Sequence, residues 1–477
     1  MASSSPPDAD ADSEVGDDDG SVTAGDTGPR SVAESPPGPR GLPLVGNTLA
    51  FLRDPLGFYD ELAAYDSDVV AYNIAGDDGY MVRHPEDIQR VLVTDASDYR
   101  RATVTQDSLG QVADGGLFLN EGEQWQRERT ALQPAFYRDR IETYAEMMVR
   151  YASERAEEWA DSESGAGSER VVVSDEMRTL TLEILAKTLI DVDIRGRESE
   201  IGDAAEAITA NFDAGTVSAF LPLWVPTPQN RRTQRALAEF DDTIEDLVAQ
   251  RRAGEDDPDD LLSILLDVEF EDGSGLSERD VRDNLFTFLV AGHETTALTL
   301  SYAVFLLANH PERQAKLHAE LDDVLGDESP TAASLFELDY LGTVVDEALR
   351  LYPPAYTIFR ESTTDVTLGG YDIPEGSIVT LPQWVVHRDE RWFDDPDDFR
   401  PERWDAERDR PEYAYFPFGG GPRHCIGMRF ALMEAKLVLA TLAQRFAFEP
   451  GTEPPIDLSM RLTLQPSDPI TVDLTDR

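Results

Sequence analysis

FPFGGGPRHCIGMRF occupies residues 416–430 and holds Cys425, the single cysteine in a chain of 477 residues. Three consecutive glycines followed by Pro422 exclude regular structure there. Residues 428–446 then read as an amphipathic helix. Cys425 therefore stands just before a helix N-terminus, where amide donors and the helix dipole favour a thiolate. Three roles compete for it: buried hydrophobe, nucleophile and metal ligand. A nucleophile needs a His or Asn partner, and His424 is adjacent in sequence, where side chains point apart. One cysteine excludes an internal disulfide, a four-cysteine iron–sulfur cluster and a cysteine-rich zinc site.

Upstream, SERD at 277–280 sets Ser277 as a cap that Asp280 can reciprocate. The helix it opens runs through VRDNLFTFLVAGHETTALTLSYAVFLLANH to Pro311, which stops it. At 1.5 Å per residue it spans roughly 50 Å, so both faces are expected to be buried. AGHETT (291–296) lies in its middle. Gly292 is either a packing glycine beneath another helix or a clearing for a ligand. Thr295 is placed to turn its hydroxyl onto the Ala291 carbonyl and open the helix there, with Glu294 supplying an acid beside it. EALR (347–350) sets Glu347 and Arg350 on one helical face, and its apolar flanks predict burial. A buried pair wants a further partner, and Arg403 in PERW (401–404) is the candidate. For Cys425, a haem iron needs only one axial thiolate, and glycines let a porphyrin lie flat on the loop. That reading is preferred over the buried hydrophobe.

The chain carries 94 Asp+Glu against 41 Lys+Arg, a formal net charge of -53. Such a surface repels nucleic acid and favours a soluble monomer. The acids spread along the whole chain, which predicts a salt-adapted protein: at molar salt the Debye length falls to about 3 Å and self-repulsion is screened. No apolar run is long enough for a membrane span. MASSSPPDADADSEVGDDDG lacks the basic start and apolar stretch of a signal peptide, so a cytoplasmic protein is expected. Residues 1–34 read as a disordered acidic tail, and 35–477 as one domain. Helical spacing is clear in 54–65, 86–93, 122–136 and 141–162. Strand patterns are few, at 68–74, 78–83, 365–374 and 377–382. Residues 164–168 and 255–260 read as loops.

AGHETT, EALR with its downstream PERW, and FGGGPRHCIG, in that order along the chain, resemble the cytochrome P-450 haem-thiolate monooxygenases. The likeness covers about residues 36–470, and Phe-x-x-Gly-x-Arg-x-Cys-x-Gly is a specific pattern. It implies a mainly α fold, a triangular helical prism with small β-sheets, and haem b as cofactor. By this resemblance Cys425 is the axial thiolate on the haem iron, and Phe418 the aromatic that shields it. Gly419 and Gly427 are the loop glycines against the cofactor. Trp125 and Arg129 in WQRER, together with Arg360 and Arg423, correspond to groups that hold the haem propionates. His387 either reaches a propionate too or is a satisfied loop histidine. Glu347, Arg350 and Arg403 correspond to the structural triad, and Glu294 and Thr295 to the acid–alcohol pair that delivers protons during dioxygen activation. His293 and His424 carry no assigned role.

The resemblance also implies insertion of one oxygen atom of dioxygen into a small hydrophobic substrate, with electrons from a separate ferredoxin- or flavodoxin-type donor. Phe118, Phe286, Val290, Ile358 and Leu462 predict an apolar pocket, suited to a fatty-acid-like or terpenoid and carotenoid-like compound. Arg101 is placed either to meet a carboxylate or, as loop arginines more often do, to face solvent. Arg127, Arg129, Arg138, Arg140, Arg423, Arg429, Lys436 and Arg445 predict a basic docking face for an acidic donor. The alternatives are a haem-thiolate peroxygenase or isomerase, whose relatives tend to lose the acid–alcohol pair; a non-catalytic haem protein; and a structural helical protein with a buried cysteine.

Overall fold

The computed structural model describes residues 35–477 except 114, 162–168, 196–220, 255–259 and 406–409. The tail expected at 1–34 and nearly all of the two loops expected at 164–168 and 255–260 lie outside the described residues. Helices dominate. The longest, Glu278–Asn309, begins with a reciprocal cap: Ser277 Oγ accepts from the Asp280 amide at 3.1 Å, and the Asp280 carboxylate accepts from the Ser277 amide at 2.9 Å. It ends where Pro311 opens the helix Pro311–Val324; proline is at home in a first turn, where its missing N–H costs nothing. Tyr302, Phe305 and Leu307 are among its many buried side chains.

The long helix packs along Val173–Ile190. At Gly292 an added Cβ would come within 2.9 Å of Leu185 Cδ2. Gly292 is therefore a packing glycine between two helices and not a clearing for a ligand. The single helix expected over 141–162 is two, Arg138–Glu142 and Ala145–Asp161. Between them the Thr143 hydroxyl donates to the Arg140 carbonyl at 2.7 Å, a local bond that competes with the helical ladder.

The strands Val69–Ile74, Asp77–Val82, Ile378–Leu381, Ile358–Ser362 and Tyr99–Arg101 form one sheet in that spatial order. Asp77–Val82 and Ile378–Leu381 run parallel; the other pairs are antiparallel. At its far edge Arg101 stands opposite Arg360. The stretch read as one strand at 365–374 is a hairpin of Val366–Leu368 and Tyr371–Ile373. A second hairpin, Leu458–Met460 with Leu464–Pro466, lies near the C-terminus. Among the described residues no helix is long and apolar enough to cross a membrane.

Candidate functional site

The cysteine loop is pinned by buried polar groups. Phe416 donates its amide to His387 Nε2 at 3.0 Å, and its carbonyl accepts from Gln383 Nε2. The Cys425 amide donates to the Phe418 carbonyl at 3.0 Å and closes the turn. Gly419 and Gly421 hold φ at 71° and 64°, where a side chain is strained. A Cβ on Gly421 would lie 1.8 Å from the Leu92 carbonyl oxygen, and one on Gly420 2.5 Å from the Tyr413 ring; at Gly427 it would meet nothing within 4 Å. Gly420 and Gly421 thus serve the packing of the loop, while Gly427 borders open space. Cys425 is exposed to solvent, yet burial pushes its thiol pKa up, opposed by the Gly427 amide, Arg129 and the Met428 amide. Both hold for a side chain that faces a space inside the protein. Ala291 is likewise exposed in the middle of the otherwise buried long helix. A flat group ligated by Cys425 and lying over Gly427 fits these surroundings.

His387 is fully buried. Burial, followed by Arg350 and Arg388, holds its pKa well below the usual value. Its Nε2 is spent on Phe416, and its carbonyl accepts from Arg350 at 2.9 Å. It is a neutral anchor of the cysteine loop, which favours the satisfied loop histidine over the propionate contact.

Cations gather at the sheet edge. Arg101 and Arg360, each 9% exposed, face each other across paired strands, an arrangement of like charges that destabilises on its own. Burial, then Arg360 and Arg423, lowers the Arg101 pKa to about 9. Burial and Arg423 lower that of Arg360 to about 10. Arg423 donates to the Asn120 carbonyl at 2.9 Å and to Glu121 Oε2 at 2.6 Å, and stacks 4.5 Å over the Trp125 ring. Two buried nitrogens, Arg101 Nε and Arg423 Nη1, have no hydrogen-bond partner among the described residues. Three guanidiniums less the Glu121 carboxylate leave two positive charges over, which suits a ligand bearing two carboxylates, as a propionate-bearing porphyrin does. Arg101 is thus buried in this cluster and does not face solvent.

Arg129 is engaged elsewhere. Its Nη1 donates to the His424 carbonyl at 3.1 Å, and its Nη2 lies 3.1 Å from His424 Nε2. His424 Nδ1 in turn is 2.9 Å from the Gly421 carbonyl oxygen. The pair locks the helix Gly122–Leu132 onto the cysteine loop, a positioning role for a histidine that the sequence left without one.

The ion pair read from EALR is a buried network. Arg350 lies bidentate on Glu347 at 2.8 and 2.9 Å, and Arg403 Nε reaches the same carboxylate at 2.7 Å. Trp404 Nε1 adds a fourth bond at 3.0 Å. Glu347 and Arg350 are 0% exposed and Arg403 3%. Through the His387 carbonyl, Arg350 joins this network to the histidine that holds Phe416.

Thr295 Oγ1 donates to the Ala291 carbonyl at 2.7 Å, as the spacing predicts. Glu294 is buried and turned toward the C-terminal hairpin, where Gln465 Nε2 donates to its carboxylate. Gln465 Oε1 accepts from Arg461 at 3.2 Å and Arg178 at 3.4 Å. Acid and alcohol thus sit at neighbouring positions but in different surroundings. His293 is a buried histidine with Nδ1 2.8 Å from the Leu289 carbonyl oxygen. Phe286, Val290 and Leu462 share one apolar cluster with Val112, Ala113 and Leu223. Phe118 does not join it, lying 3.9 Å under the Arg101 guanidinium. Ile358 packs on the sheet cluster that holds Val379 and Leu381, with its Cδ1 3.3 Å from where a Cβ on Gly419 would lie.

The sequence matches the Cytochrome P450 family over residues 36–474, and the chain belongs to that family. It is a cytochrome P450 monooxygenase with haem b as cofactor. It is 36% identical over 440 residues to cyclooctatin synthase of Streptomyces melanosporofaciens, spanning 90% of this chain and 93% of that one. It is 34% identical over 419 residues to cyclooctat-9-en-7-ol 5-monooxygenase of the same organism, spanning 86% and 89%. Pentalenene oxygenase of Streptomyces avermitilis is 32% identical over 433 residues, spanning 88% and 93%.

Proposed function

We propose that this cytochrome P450 oxidises a terpenoid-like substrate, as a cytoplasmic monomer that draws electrons from a separate acidic ferredoxin- or flavodoxin-type protein. The apolar cluster of Val112, Leu223, Phe286, Val290 and Leu462 carries the substrate class. Relatives named for cyclooctatin and pentalenene, both terpenoids, support it. Bound haem supplies the reductive activation of dioxygen and the insertion of one of its oxygen atoms. The chain does the rest. Cys425 Sγ would hold the haem iron as a thiolate, its charge stabilised by the Gly427 and Met428 amides. Arg101, Arg360 and Arg423 hold the propionates by charge-assisted hydrogen bonds, with Trp125 stacked beneath Arg423. Arg129 keeps the loop in register through His424. Thr295 Oγ1 and Glu294 would supply protons beside the cofactor, with Gln465 Nε2 orienting the Glu294 carboxylate.

The docking face for the donor narrows from the sequence reading. Arg127 is paired with Asp272 and Arg138 with Glu142. Arg429, exposed at the start of the helix Met428–Arg445, has no ion pair among the described residues. It is the cation best placed to meet an acidic donor on the thiolate side.

The test is the carbon monoxide difference spectrum of the reduced protein before and after Cys425→Ser, followed by titration with terpenoids. A red-shifted thiolate band that the substitution abolishes, and a spin-state change on terpenoid addition, are expected. Folded protein that takes up no haem would overturn the site assignment. Haem protein indifferent to every terpenoid but responsive to fatty acids would overturn the substrate class.

A further inference from the structure

One guanidinium joins three walls of the apolar cluster. Arg282 lies in the first turns of the long helix Glu278–Asn309. Its Nε donates to Asp241 Oδ1 at 2.6 Å, on the helix Pro228–Ala253. Its Nη1 donates to the Val112 carbonyl at 2.6 Å, in the loop that follows the helix Thr103–Leu109, and to Asp283 Oδ1 at 2.8 Å. The same guanidinium stands 5.5 Å from the Phe240 ring centroid and 5.3 Å from that of Phe286. Val112, Phe240 and Phe286 all belong to the cluster read above as the seat of the substrate.

These contacts are not equal. The Asp283 side chain is 2% exposed and that of Asp241 46%. The long helix holds the loop at further points: the Gly115 amide donates to Asp283 Oδ2 at 3.0 Å, and the Leu117 amide to Asn284 Oδ1 at 2.9 Å. Loop and long helix are therefore joined through buried groups, whose bonds are costly to lose. The bond to Asp241 is a half-exposed ion pair, worth about 1 kcal/mol or less and screened by salt. Arg252 with Glu278, a further pair between the same two helices, is more exposed still. When Asp241 parts from Arg282, water takes up its charge, and the guanidinium keeps Asp283 and the Val112 carbonyl. No buried charge is left alone, so the helix Pro228–Ala253 is the wall that can part. Beneath the pair Phe240 meets Phe286 edge-on at 5.5 Å, so that parting opens onto the apolar cluster.

We propose that Arg282 is a specificity-determining residue: with Asp241 it forms a latch, loosened by salt, that sets how large a ligand enters the chamber. The inference rests on the reading of the Phe286 cluster as that chamber. A small ligand passes without parting the walls, whereas a bulky one waits for the latch to open. The latch closes over an empty and a filled chamber alike, so it governs the rates of entry and exit more than affinity. The salt that screens the acidic surface then also eases the passage of bulky substrates.

Stopped-flow binding of clotrimazole, a bulky azole, and of imidazole to the haem-loaded full chain tests this through the absorbance shift of nitrogen ligation. In dilute buffer Asp241→Asn is expected to raise both the association and the dissociation rate of clotrimazole about fivefold, the factor that an exposed ion pair of this strength corresponds to. Kd should change little, whereas loss of a mere wall contact would move Kd. Imidazole rates should be the same in both proteins. In molar potassium chloride the clotrimazole rates of the wild type should approach those of the variant. Unchanged clotrimazole rates, an equal rise for imidazole, or a gap between the two proteins that salt leaves intact would each overturn the proposal. Val290→Trp, which fills the cluster, tests the chamber separately: it should weaken clotrimazole and spare imidazole. If it leaves clotrimazole unaffected, the chamber lies elsewhere and the latch falls with it.

Discussion

Arg101 stands against Arg360 with burial on both sides, and the acid of the cluster, Glu121, is spent on Arg423 and on the Arg101 amide. The arrangement costs free energy until two carboxylates arrive, so removing one cation has opposite effects with and without haem. Arg101→Gln is expected to stabilise the apoprotein and to weaken haem retention. Loss of one charge-assisted hydrogen bond is worth about 2 kcal/mol, or roughly 30-fold in haem affinity. Denaturant midpoints of the apoprotein and the rate of haem transfer to an acceptor globin read the two signs separately. A fall in both would contradict the assignment. At this scale the sequence was legible wherever chemistry sits in a short window. Cys425, the Glu347–Arg350 pair and the Thr295 back-bond all follow from local spacing. Arg101, His424 and Gln465 were missed because their partners lie far along the chain; Arg129 and His424 are 295 positions apart. The only local sign at His424 was its place inside the loop, which says nothing of what it binds.

The long helix shows which element properties reach the sequence. Its capping box and its terminating proline were readable, as was the expectation of burial on both faces. The role of Gly292 was not, because it depends on Leu185 from another helix. His293 adds a pH dependence to this element. Burial lowers its pKa from 6.5 to about 4, with Arg178 adding to the effect and the Leu289 carbonyl opposing it. The unfolded chain then takes up a proton at higher pH than the folded one, so stability is lost as pH falls from about 6.5 toward 4. The loss reaches roughly 3 kcal/mol at the acid end. Urea midpoints across that range should fall for the wild type and fall less for His293→Gln. His318, also lowered to about 4 by burial and by Arg477, leaves a residual slope. Identical slopes in the two proteins would exclude His293 as a cause. Sheet order was the least legible feature at this scale: Tyr99–Arg101 is three residues long, and its pairing with Ile358–Ser362 leaves no local pattern.

Across the whole molecule, charge outweighs every other surface property. A net -53 is too large for isolated surface ion pairs to offset, since each contributes little in water. Screening by salt is the remaining lever. The thermal midpoint is expected to rise between dilute buffer and molar potassium chloride by on the order of 10 °C, equivalent to roughly 10 kcal/mol in a chain of this size. Calorimetry at stepped salt concentrations checks it, and a flat midpoint would dismiss salt adaptation. The family and its mainly helical architecture were legible at this scale from three ordered motifs, because each motif is a dense local pattern. The apolar pocket expected from the sequence gathers only in part: Phe286, Val290 and Leu462 share one cluster, whereas Phe118 lies under Arg101 and Ile358 sits in the sheet beside Gly419.

Tyr99–Arg101 is the edge strand of its sheet, and the contact that completes it brings two cations together. That gives the maturing chain an order of assembly. Pairing of that strand is disfavoured until an anion offsets the two cations, so cofactor supply is expected to favour the last step of sheet assembly. A cell short of haem would carry chains with an open edge, the form most prone to proteolysis and to pairing with its own kind.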